Sequence, residues 1–370
     1  NFNQNIGGWD VSDVVNMNHM FTRATSFNQS LDDWNISSAN YLFAMFNHAN
    51  ALSEMHKGNI HEAFSSNPNW SYDWRPFVLI DDSNFHSAVD LWFDNQAEAN
   101  ATYGHIRDWN TSAVTDMSEA FKGRTEFNED ISGWDVSGVT MMLGMFQGAH
   151  AFNQPIGIWD TGKVVNMAKM FTAAHSFNQP IGNWDISSVQ QLHQIFNGAQ
   201  AFNQNIRDWN VSAVRNFYGI FSGAHAFNQP VGVWNVSSVT RMDGIFKNST
   251  SFNQSLTNWD TSNVTTMSEM FKNATAFNQN ISNWDVSKVT EMHYMFQNAS
   301  AFNADISLWN TSSAQNMTYM FLNATSFNQN IGDWDVSSTA PSTGGLEGMF
   351  SGASSYSYSV KKWCVSNFSS

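Results

Sequence analysis

Residues 277–301 read FNQNISNWDVSKVTEMHYMFQNASA, and the same wording returns along the chain with a stride of 25 residues. Tryptophans mark this stride, because Trp9 and Trp34 share one phase with Trp109 and with every 25th residue from there to Trp334. A period of this length is typical of repeat proteins, in which one unit is too small to bury its own apolar face. The sequence therefore predicts an array of units that stack on one another.

Two spacings inside the unit predict its local structure. Trp284 and Val286 are two residues apart, and the position of Val286 is β-branched in every regular copy, as a short strand prefers. From Val289 to Phe296 the apolar spacing becomes three and four, which predicts a helix of about two turns. Ser287, just before this stretch, is a typical N-cap residue. The expected unit is a short parallel strand plus a short helix, and the expected fold class is an α/β repeat solenoid.

An asparagine follows the first Phe of each regular unit. An amide that is stacked on its own image about every 4.8 Å can bond its neighbours in the stack and satisfy a bent backbone. We interpret this position as a structural Asn ladder rather than a row of ligand-binding amides. In the longer array the ladder consists of Asn128, Asn153, Asn178, Asn203, Asn228, Asn253, Asn278, Asn303 and Asn328.

The repeated wording, F-N-Q-x-I-x-x-W-[DN]-V-S-x-V-x-x-M-x-x-M-F, resembles that of BspA-like leucine-rich-repeat surface proteins, a group that includes a mycoplasma-type repeat family of unknown function. The resemblance covers nearly all of the chain except about residues 53–108. It implies a right-handed leucine-rich-repeat-like coil at the cell surface or in secreted material, with roles in adhesion and protein contact. It offers no catalytic motif, and Met, Phe and Trp stand where such repeats carry Leu.

Three regions follow from the regularity of the repeat. Residues 1–65 hold two regular copies and a degenerate one, residues 66–108 an irregular loop and a cap-like helix, and residues 109–370 the main array. The sequence after Asn84, FHSAVDLWF, predicts an amphipathic helix that covers the open end of the main array. An insertion after Ser337 shifts Met349 by four residues, and the last copy carries Cys364 at the Asp position. Since Asn1 lies within a repeat, we expect that the chain continues upstream or that another copy stacks there.

Composition and charge exclude several classes of partner. The net charge is −15 with only 16 Lys and Arg, and there is no basic run, so a nucleic-acid groove has no electrostatic basis. No apolar run reaches the ~20 residues of a membrane-spanning helix. A single cysteine excludes an intrachain disulfide framework.

The His and Asp residues that could bind a metal or catalyse a reaction stand at positions of the repeat that we interpret as structural. His150, His175 and His225 share one phase and could hold a metal if a third ligand joined them, but we favour polar turn residues. The Asp or Asn after each Trp, as at Asp135 and Asp260, could bind calcium or cap its own turn, and we favour capping. We predict no enzyme, no cofactor and no metal site.

Asn-x-Ser/Thr sequons are abundant, and they predict glycosylation if a eukaryotic cell secretes the chain. Two columns are candidates, one after the Trp and one after the Met-Phe pair. The candidate acceptors are Asn35, Asn110, Asn210, Asn235, Asn248, Asn273, Asn298, Asn310 and Asn323.

Three functional hypotheses remain. The first is a structural or adhesive surface protein whose copies stack head to tail into a fibre or layer. The second is a monomeric module that binds a protein or glycan on its strand face, where Ile158, Arg207 and Leu308 vary between copies. The third, ice binding by a Thr column, is disfavoured because Thr111, Thr161, Thr261 and Thr311 are expected to point inward.

Overall fold

The structure is a computed structural model that describes residues 2–72, 74, 78–339 and 345–363. Cys364 and most of the predicted insertion, residues 340–344, lie outside this range. The chain forms two modules, which we call the first module (Asn1–Leu79 with Asn100–Gly104) and the main module (Ile80–Ala99 with His105–Ser370). The transition between Leu79 and Ile80 lies inside the region that the sequence assigned to a loop and a cap.

The described residues contain three α-helices, all outside the regular repeats. They are α1 (Glu54–Phe64), α2 (Phe85–Asp94) and α3 (Gln96–Tyr103), and two 3₁₀ turns cover Ile106–Asp108 and Ile156–Ile158. The predicted helix after Asn84 is confirmed as α2, although no side-chain hydrogen bond caps its first turn. Its buried residues Ala88, Val89 and Trp92 form the apolar face that the spacing indicated.

The predicted α/β fold is wrong, because no described repeat contains an α-helix or a strand. In the repeat of residues 277–301, the supposed helix is a run of overlapping turns. The leucine-rich-repeat-like unit of one strand and one helix is therefore wrong as well. Ser287 is not an N-cap but lies in a turn, and its backbone N–H donates to Asp285 Oδ1 at 2.9 Å.

Apolar residues spaced three apart belong to β-turns rather than to a helix. Trp284 N–H donates to the Ile281 carbonyl at 3.2 Å, and Val289 N–H donates to the Val286 carbonyl at 2.9 Å. All four of these residues are buried. Each turn thus begins and ends on an inward-facing apolar side chain, which reproduces the helical spacing without a helix.

Two residues with left-handed φ interrupt the run of overlapping turns in each repeat, which we call the turn run and which covers residues 293–298 in the repeat 277–301. Tyr294 has φ 57° and Asn298 has φ 56°; Gly fills the first phase in some repeats, as at Gly144, and Gly or Asn fills the second in most, as at Gly148. A right-handed helix cannot continue through such a residue. The backbone therefore turns again at each of these positions.

The turn run divides its amide groups between its own repeat and the next one. The N–H groups of alternate residues close turns within the repeat, at Met295, Gln297 and Ala299. The intervening N–H groups donate to carbonyls of the following repeat at 2.7–2.9 Å, from Met292, Tyr294, Phe296 and Asn298. An α-helix would use all of these groups internally and leave none for stacking. The pairing produces only isolated parallel bridges, such as Glu291↔Asn316, and no sheet among the described residues.

Aromatic columns form the core of the main module. Phe296 stacks on Phe271 and Phe321, the equivalent rings of its neighbours, with centroids 5.7 and 5.6 Å apart. The Trp column is confirmed by rings such as Trp284 and Trp309, which lie 6.5 Å apart at an interplanar angle of 5°. Trp309 Nε1 also donates to the Ile281 carbonyl of the preceding repeat at 3.1 Å. The repeats thus stack in register around buried rings, as the period predicted.

Side chains bond the two predicted strand positions, those of Trp284 and Val286, to the adjacent repeats. In four repeats the buried residue at the Val286 phase is a threonine whose hydroxyl donates to the next repeat's Asp carbonyl at 2.8–2.9 Å, namely Thr111, Thr161, Thr261 and Thr311. Their inward orientation was expected and is confirmed by burial. Because side chains make these bonds, the segment needs no strand ladder.

Helix α2 covers the edge of the first repeat in the main module. Phe85 is fully buried and its ring meets Trp134 at 5.8 Å, and Trp92 packs edge-on against Trp109 at 6.4 Å. Polar side chains at the start of the helix bond backbone groups of this edge. Asp82 accepts the N–H of Thr115 at 2.7 Å, and His86 Nε2 bonds the Ser118 carbonyl at 2.8 Å.

The first module has its own aromatic core. Phe21 and Phe46 continue the stacked column at 5.1 Å, and Trp74 packs on Phe46 at 5.0 Å. Helix α1 buries Ile60 and Phe64 in the same cluster.

Candidate functional site

The asparagines predicted to form a ladder all lie along one line of the main module. The side-chain Oδ1 of each accepts the backbone N–H of the next ladder residue at 2.8–3.0 Å, a series that starts at Asn128 and reaches Ser357. In several repeats the following Gln adds a bond, as when Gln204 Nε2 donates to Asn178 Oδ1 at 2.9 Å. The bonds run from amide oxygen to backbone, rather than from amide to amide. These oxygens are therefore engaged by the stack itself.

The sequon asparagines that follow the Trp are exposed. The Oδ1 of each accepts the N–H of the serine two residues later at 3.1–3.2 Å, in Asn35, Asn110, Asn210, Asn235 and Asn310. This is the local Asx turn that these residues commonly form.

The sequon asparagines after the Met-Phe pair form a second row, as their spacing indicated, but the bonds between their side chains were not predicted. All four have left-handed φ values between 56° and 61°, in Asn248, Asn273, Asn298 and Asn323. Asn298 Nδ2 donates to Asn273 Oδ1 at 2.6 Å, and Asn323 Nδ2 donates to Asn298 Oδ1 at 2.9 Å. Three of these amide nitrogens are therefore used within the stack. The signal was present in the sequence, because this phase is Gly or Asn in every repeat of the main module except at Ala173, and these two residue types tolerate positive φ.

Two of the three histidines in the predicted column contact each other directly. The rings of His150 and His175 stack with centroids 4.2 Å apart. Burial and the neighbouring His150 lower the pKa of His175, which favours the uncharged form of that one imidazole. In residues 2–339 and 345–363, apart from the gap at 73–77, no group of three His, Cys, Asp or Glu side chains is placed to hold a metal ion.

The carboxylates after the Trp bond to their own turns. Side-chain and backbone hydrogen bonds from the serine two residues later lower the pKa of Asp135, Asp185, Asp260, Asp285 and Asp335. A carboxylate held this way serves as the cap of a turn.

A polar cluster formed by five residues of four neighbouring repeats was not found from the sequence. We define it as Tyr218, Arg241, Asp243, Ser268 and His293. Arg241 lies over the Tyr218 ring at 4.6 Å and pairs with Asp243 through its Nε at 2.5 Å. Asp243 is 8% exposed and also accepts the Ser268 N–H at 3.1 Å. The sequence does not predict this cluster, because its members come from different copies. They occupy two positions of the repeat that hold other residue types in most copies.

Ser268 and His293 approach the geometry of a nucleophile and a base. Ser268 Oγ lies 2.9 Å from His293 Nδ1, and Glu291 Oε2 lies 3.3 Å from that same nitrogen. In a catalytic triad the acid and the nucleophile bond opposite nitrogens of the imidazole. Because Ser268 and Glu291 approach the same nitrogen, Glu291 does not orient the imidazole in the way that the acid of a catalytic triad does.

A cavity of 360 Å³ lies inside the main module where α2 ends. Its walls are Trp92 and Phe93 of α2 and the segment 123–129 of the first repeat. Arg124 stacks over Phe93 at 4.3 Å and pairs with Asp90 at 2.9 Å, so its charge is compensated. No pattern in the sequence predicts this cavity, because α2 and residues 123–129 meet only in the folded module.

The residues of this cavity depart from the repeat at three positions. Arg124 stands where the other repeats carry a buried Ala or Ser, and Glu126 stands where they carry Ala or Ser. Glu129 replaces the Gln found from Gln154 to Gln329, with Ala304 as the exception. The first repeat thus differs from its copies at the surface of the cavity.

Comparison with known families identifies the chain. The family model described as "Mycoplasma protein of unknown function, DUF285" matches residues 1–67, 88–205, 180–282 and 254–363. The chain belongs to this family.

The DUF285 family assignment carries no activity, because the family's function is unknown. No curated protein matches the chain. Among solved structures, the crystal structure of a TLR13–ssRNA13 complex is similar at 8% identity and a TM-score of 0.17, over 75% of this chain and 52% of that chain. So low a score supports no structural argument. The described part of this DUF285 protein has no helix long and apolar enough to cross a bilayer.

Proposed function

We propose that this chain is a non-enzymatic structural or adhesive protein of the cell surface or of secreted material, and that its copies assemble end to end. The observation that supports the proposal is the asymmetry of each repeat. One edge of the turn run presents N–H groups and the other presents carbonyls, so that Phe296 N–H meets the Met320 carbonyl of the following repeat at 2.9 Å. An interface of this head-to-tail kind forms rings or open filaments when copies use it.

The edges available to such an assembly are restricted. Helix α2 covers the preceding edge of the main module, where Phe85 and Trp92 are buried against the first repeat. We propose that stacking between copies uses the edge of the main module at the repeat that contains Met349 and Ser357. Ser357 is exposed, and its N–H and hydroxyl both bond Asn328 Oδ1 at 3.0 Å.

Concentration-dependent association tests the assembly. Sedimentation velocity and negative-stain microscopy of the purified full chain should give particles that lengthen as concentration rises. A single monomeric species over the whole concentration range would refute end-to-end stacking.

A matched pair of variants sharpens this test. Ser357→Asn restores the ladder residue and offers an amide oxygen to a following copy, so association should strengthen. Ser359→Asn in the same repeat introduces the same side chain at the phase of Asn330, which forms a local turn, so association should not change. An equal effect of both variants would exclude the ladder as the contact.

A non-enzymatic role is supported by the geometry of the polar cluster. Ser268 and Glu291 both approach His293 Nδ1, which leaves the acid unable to orient the imidazole toward the serine as a triad requires. Generic esterase substrates should therefore be hydrolysed no faster by the wild type than by a Ser268→Ala variant.

Glycosylation is proposed at the exposed sequons. The side chains of Asn35, Asn110, Asn210, Asn235 and Asn310 face solvent, whereas Asn273, Asn298 and Asn323 donate their amide nitrogens within the stack. Glycopeptide mass spectrometry of folded protein secreted from eukaryotic cells should find higher occupancy in the exposed set. Equal occupancy of both sets would contradict this assignment.

The alternative function is a recognition module for a protein or glycan. The predicted strand face does not exist, but the polar cluster supplies an aromatic ring, a guanidinium and an imidazole in neighbouring repeats. A ligand found by glycan array or pull-down should lose binding to a variant with both Tyr218→Ala and Arg241→Ala. Leu308→Ala is the control, because Leu308 is 84% exposed at another phase. Unchanged binding by the double variant would count against this site.

A further inference from the structure

The cavity beside α2 contains two backbone donors that have no acceptor. Among the described residues, the N–H groups of Glu126 and Asn128 make no hydrogen bond. In the next repeat the equivalent N–H groups are both satisfied by the repeat before it. Ala151 N–H donates to the Thr125 carbonyl at 2.9 Å, and Asn153 N–H donates to Asn128 Oδ1 at 2.9 Å.

Within the described ranges, the N–H of Glu126 lacks a partner also at its phase in some later repeats, as at Ser251 and Ala276, whereas in the main module the free N–H of Asn128 is peculiar to the edge that α2 covers. Except in its last turn, an α-helix uses its backbone carbonyls internally, so α2 offers this edge fewer acceptors than a preceding repeat would supply. Side chains compensate at the start of the edge, where Asp82 and His86 bond the first repeat. Helix α2 ends at Asp94, and in the described part of the chain no side chain of α2 bonds residues 126–128, where the cavity lies.

Glu129 excludes another repeat of the same kind from this cavity. In later repeats the Gln at this phase donates its Nε2 to the preceding Asn carbonyl, as Gln154 does to Asn128 at 2.8 Å. A carboxylate cannot donate, and it would face the carbonyl and the amide oxygen of an incoming Asn. The site therefore calls for an occupant that offers a donor, and preferably a cation, at this point.

We propose that the cavity binds an extended peptide segment that carries a lysine or arginine side chain. Two carbonyls of the peptide accept the N–H groups of Glu126 and Asn128, as in the addition of a strand to a free edge. The basic side chain meets Glu129 and Glu126, and an apolar neighbour packs on Trp92 and Phe93. Arg124 does not oppose the cation, because Asp90 pairs with it. The volume of 360 Å³ lies at the lower end of the ~300–1,000 Å³ usual for ligand pockets.

Two blocked hexapeptides test the proposal on the full chain. One is acetyl-HAFNQP-amide, the sequence of residues 150–155, and the other has Lys in place of its Asn. Isothermal titration should give a Kd about tenfold lower for the Lys peptide, the size of effect typical of a charge-assisted hydrogen bond. Hydrogen exchange followed by mass spectrometry should show that the bound Lys peptide protects residues 123–129.

A single substitution should reverse the preference. Glu129→Gln restores the residue of the other repeats, so the Lys peptide should lose its advantage and the Asn peptide should bind more tightly. Asp305→Asn removes one charge from a distant repeat and should change neither affinity.

Three results would overturn the proposal. They are no binding of the Lys peptide at millimolar concentration, a wild-type preference for the Asn peptide, and a Lys preference that persists in Glu129→Gln. A wild-type preference for the Asn peptide would instead assign the cavity to a second copy of this chain. Failure of end-to-end assembly would leave the proposal intact, because that assembly does not use this edge.

Discussion

Asparagine has three separate tasks in this chain, and its position in the repeat decides which one it performs. At the ladder its oxygen bonds the next repeat, after the Trp it closes a local turn, and after the Met-Phe pair it adopts a positive φ. All three tasks use the short amide side chain close to the backbone, which explains the high Asn content without a ligand.

Removal of one ladder oxygen should destabilise the stack measurably. In Asn203→Ala the N–H of Asn228 loses its acceptor, whereas the amide of Gln229 keeps the Asn203 backbone carbonyl, and both residues are partly buried. An unsatisfied buried donor costs about 1–3 kcal/mol, so the urea midpoint followed by Trp fluorescence should fall. The control is Asn205→Ser, because the repeat itself carries Ser255 at that phase and its bond is local. Equal midpoints for the two variants would show that the ladder bond contributes no stability.

The capping carboxylates should make the chain sensitive to acid. Hydrogen bonds from Ser287 lower the pKa of folded Asp285 below the ordinary value of about 3.9. A lowered folded pKa stabilises the protein above the unfolded pKa, and this contribution is lost as pH falls through the folded pKa. Urea midpoints measured from pH 5 to pH 2 should therefore fall less steeply for Asp285→Asn than for the wild type. Ser287→Ala, which removes the hydroxyl donor, should also flatten the profile, and an unchanged slope in both variants would contradict this origin.

At the scale of elements, the turn run shows why the helix prediction failed. β-turns that begin and end on buried residues give the same spacing of three and four as one face of a helix. The deciding difference is the destination of the N–H groups, since Tyr294 and Phe296 bond the following repeat. Sequence periodicity reports which side chains are buried, but it does not report where the amides bond.

Helix α2 should stabilise the repeats nearest to it and leave distant ones unaffected. Phe85 is fully buried against Trp134, and truncation of such a residue costs about 3–5 kcal/mol. Because repeats contact only their neighbours, Phe85→Ala should raise hydrogen exchange in residues 109–146 but not in residues 284–334. Phe277→Ala is the matched control and should give the opposite pattern. Uniform loss of protection in both variants would indicate that the module unfolds as one unit.

At the scale of the whole molecule, the repeat length controls whether stacking is possible. Backbone and side-chain bonds join residues close to 25 positions apart, as between Asn178 and Asn203. Removal of residues 178–202 joins Phe177 to Asn203 and keeps every later repeat in phase. Circular dichroism and urea unfolding should show a folded chain with a slightly lower midpoint.

A deletion shorter by one residue provides the control. If Asn178 is retained and residues 179–202 are removed, the ladder and the Phe column fall out of register at the junction. This variant should be markedly less stable or should not fold. Similar stability of the two deletions would show that the bonds between repeats do not require an exact period.

The sequence by itself determined the period, the buried positions, the alignment of the Trp rings and the presence of α2, because burial leaves a regular mark on residue type. The tertiary structure decided the conformation of the repeat, the side-chain bonds within the second row of asparagines, the polar cluster around Asp243 and the cavity at Glu129. These features depend on which repeat supplies the partner of each amide and side chain. The bonding partners lie in copies about 25 residues apart, so the pattern of a single copy does not show which groups bond each other.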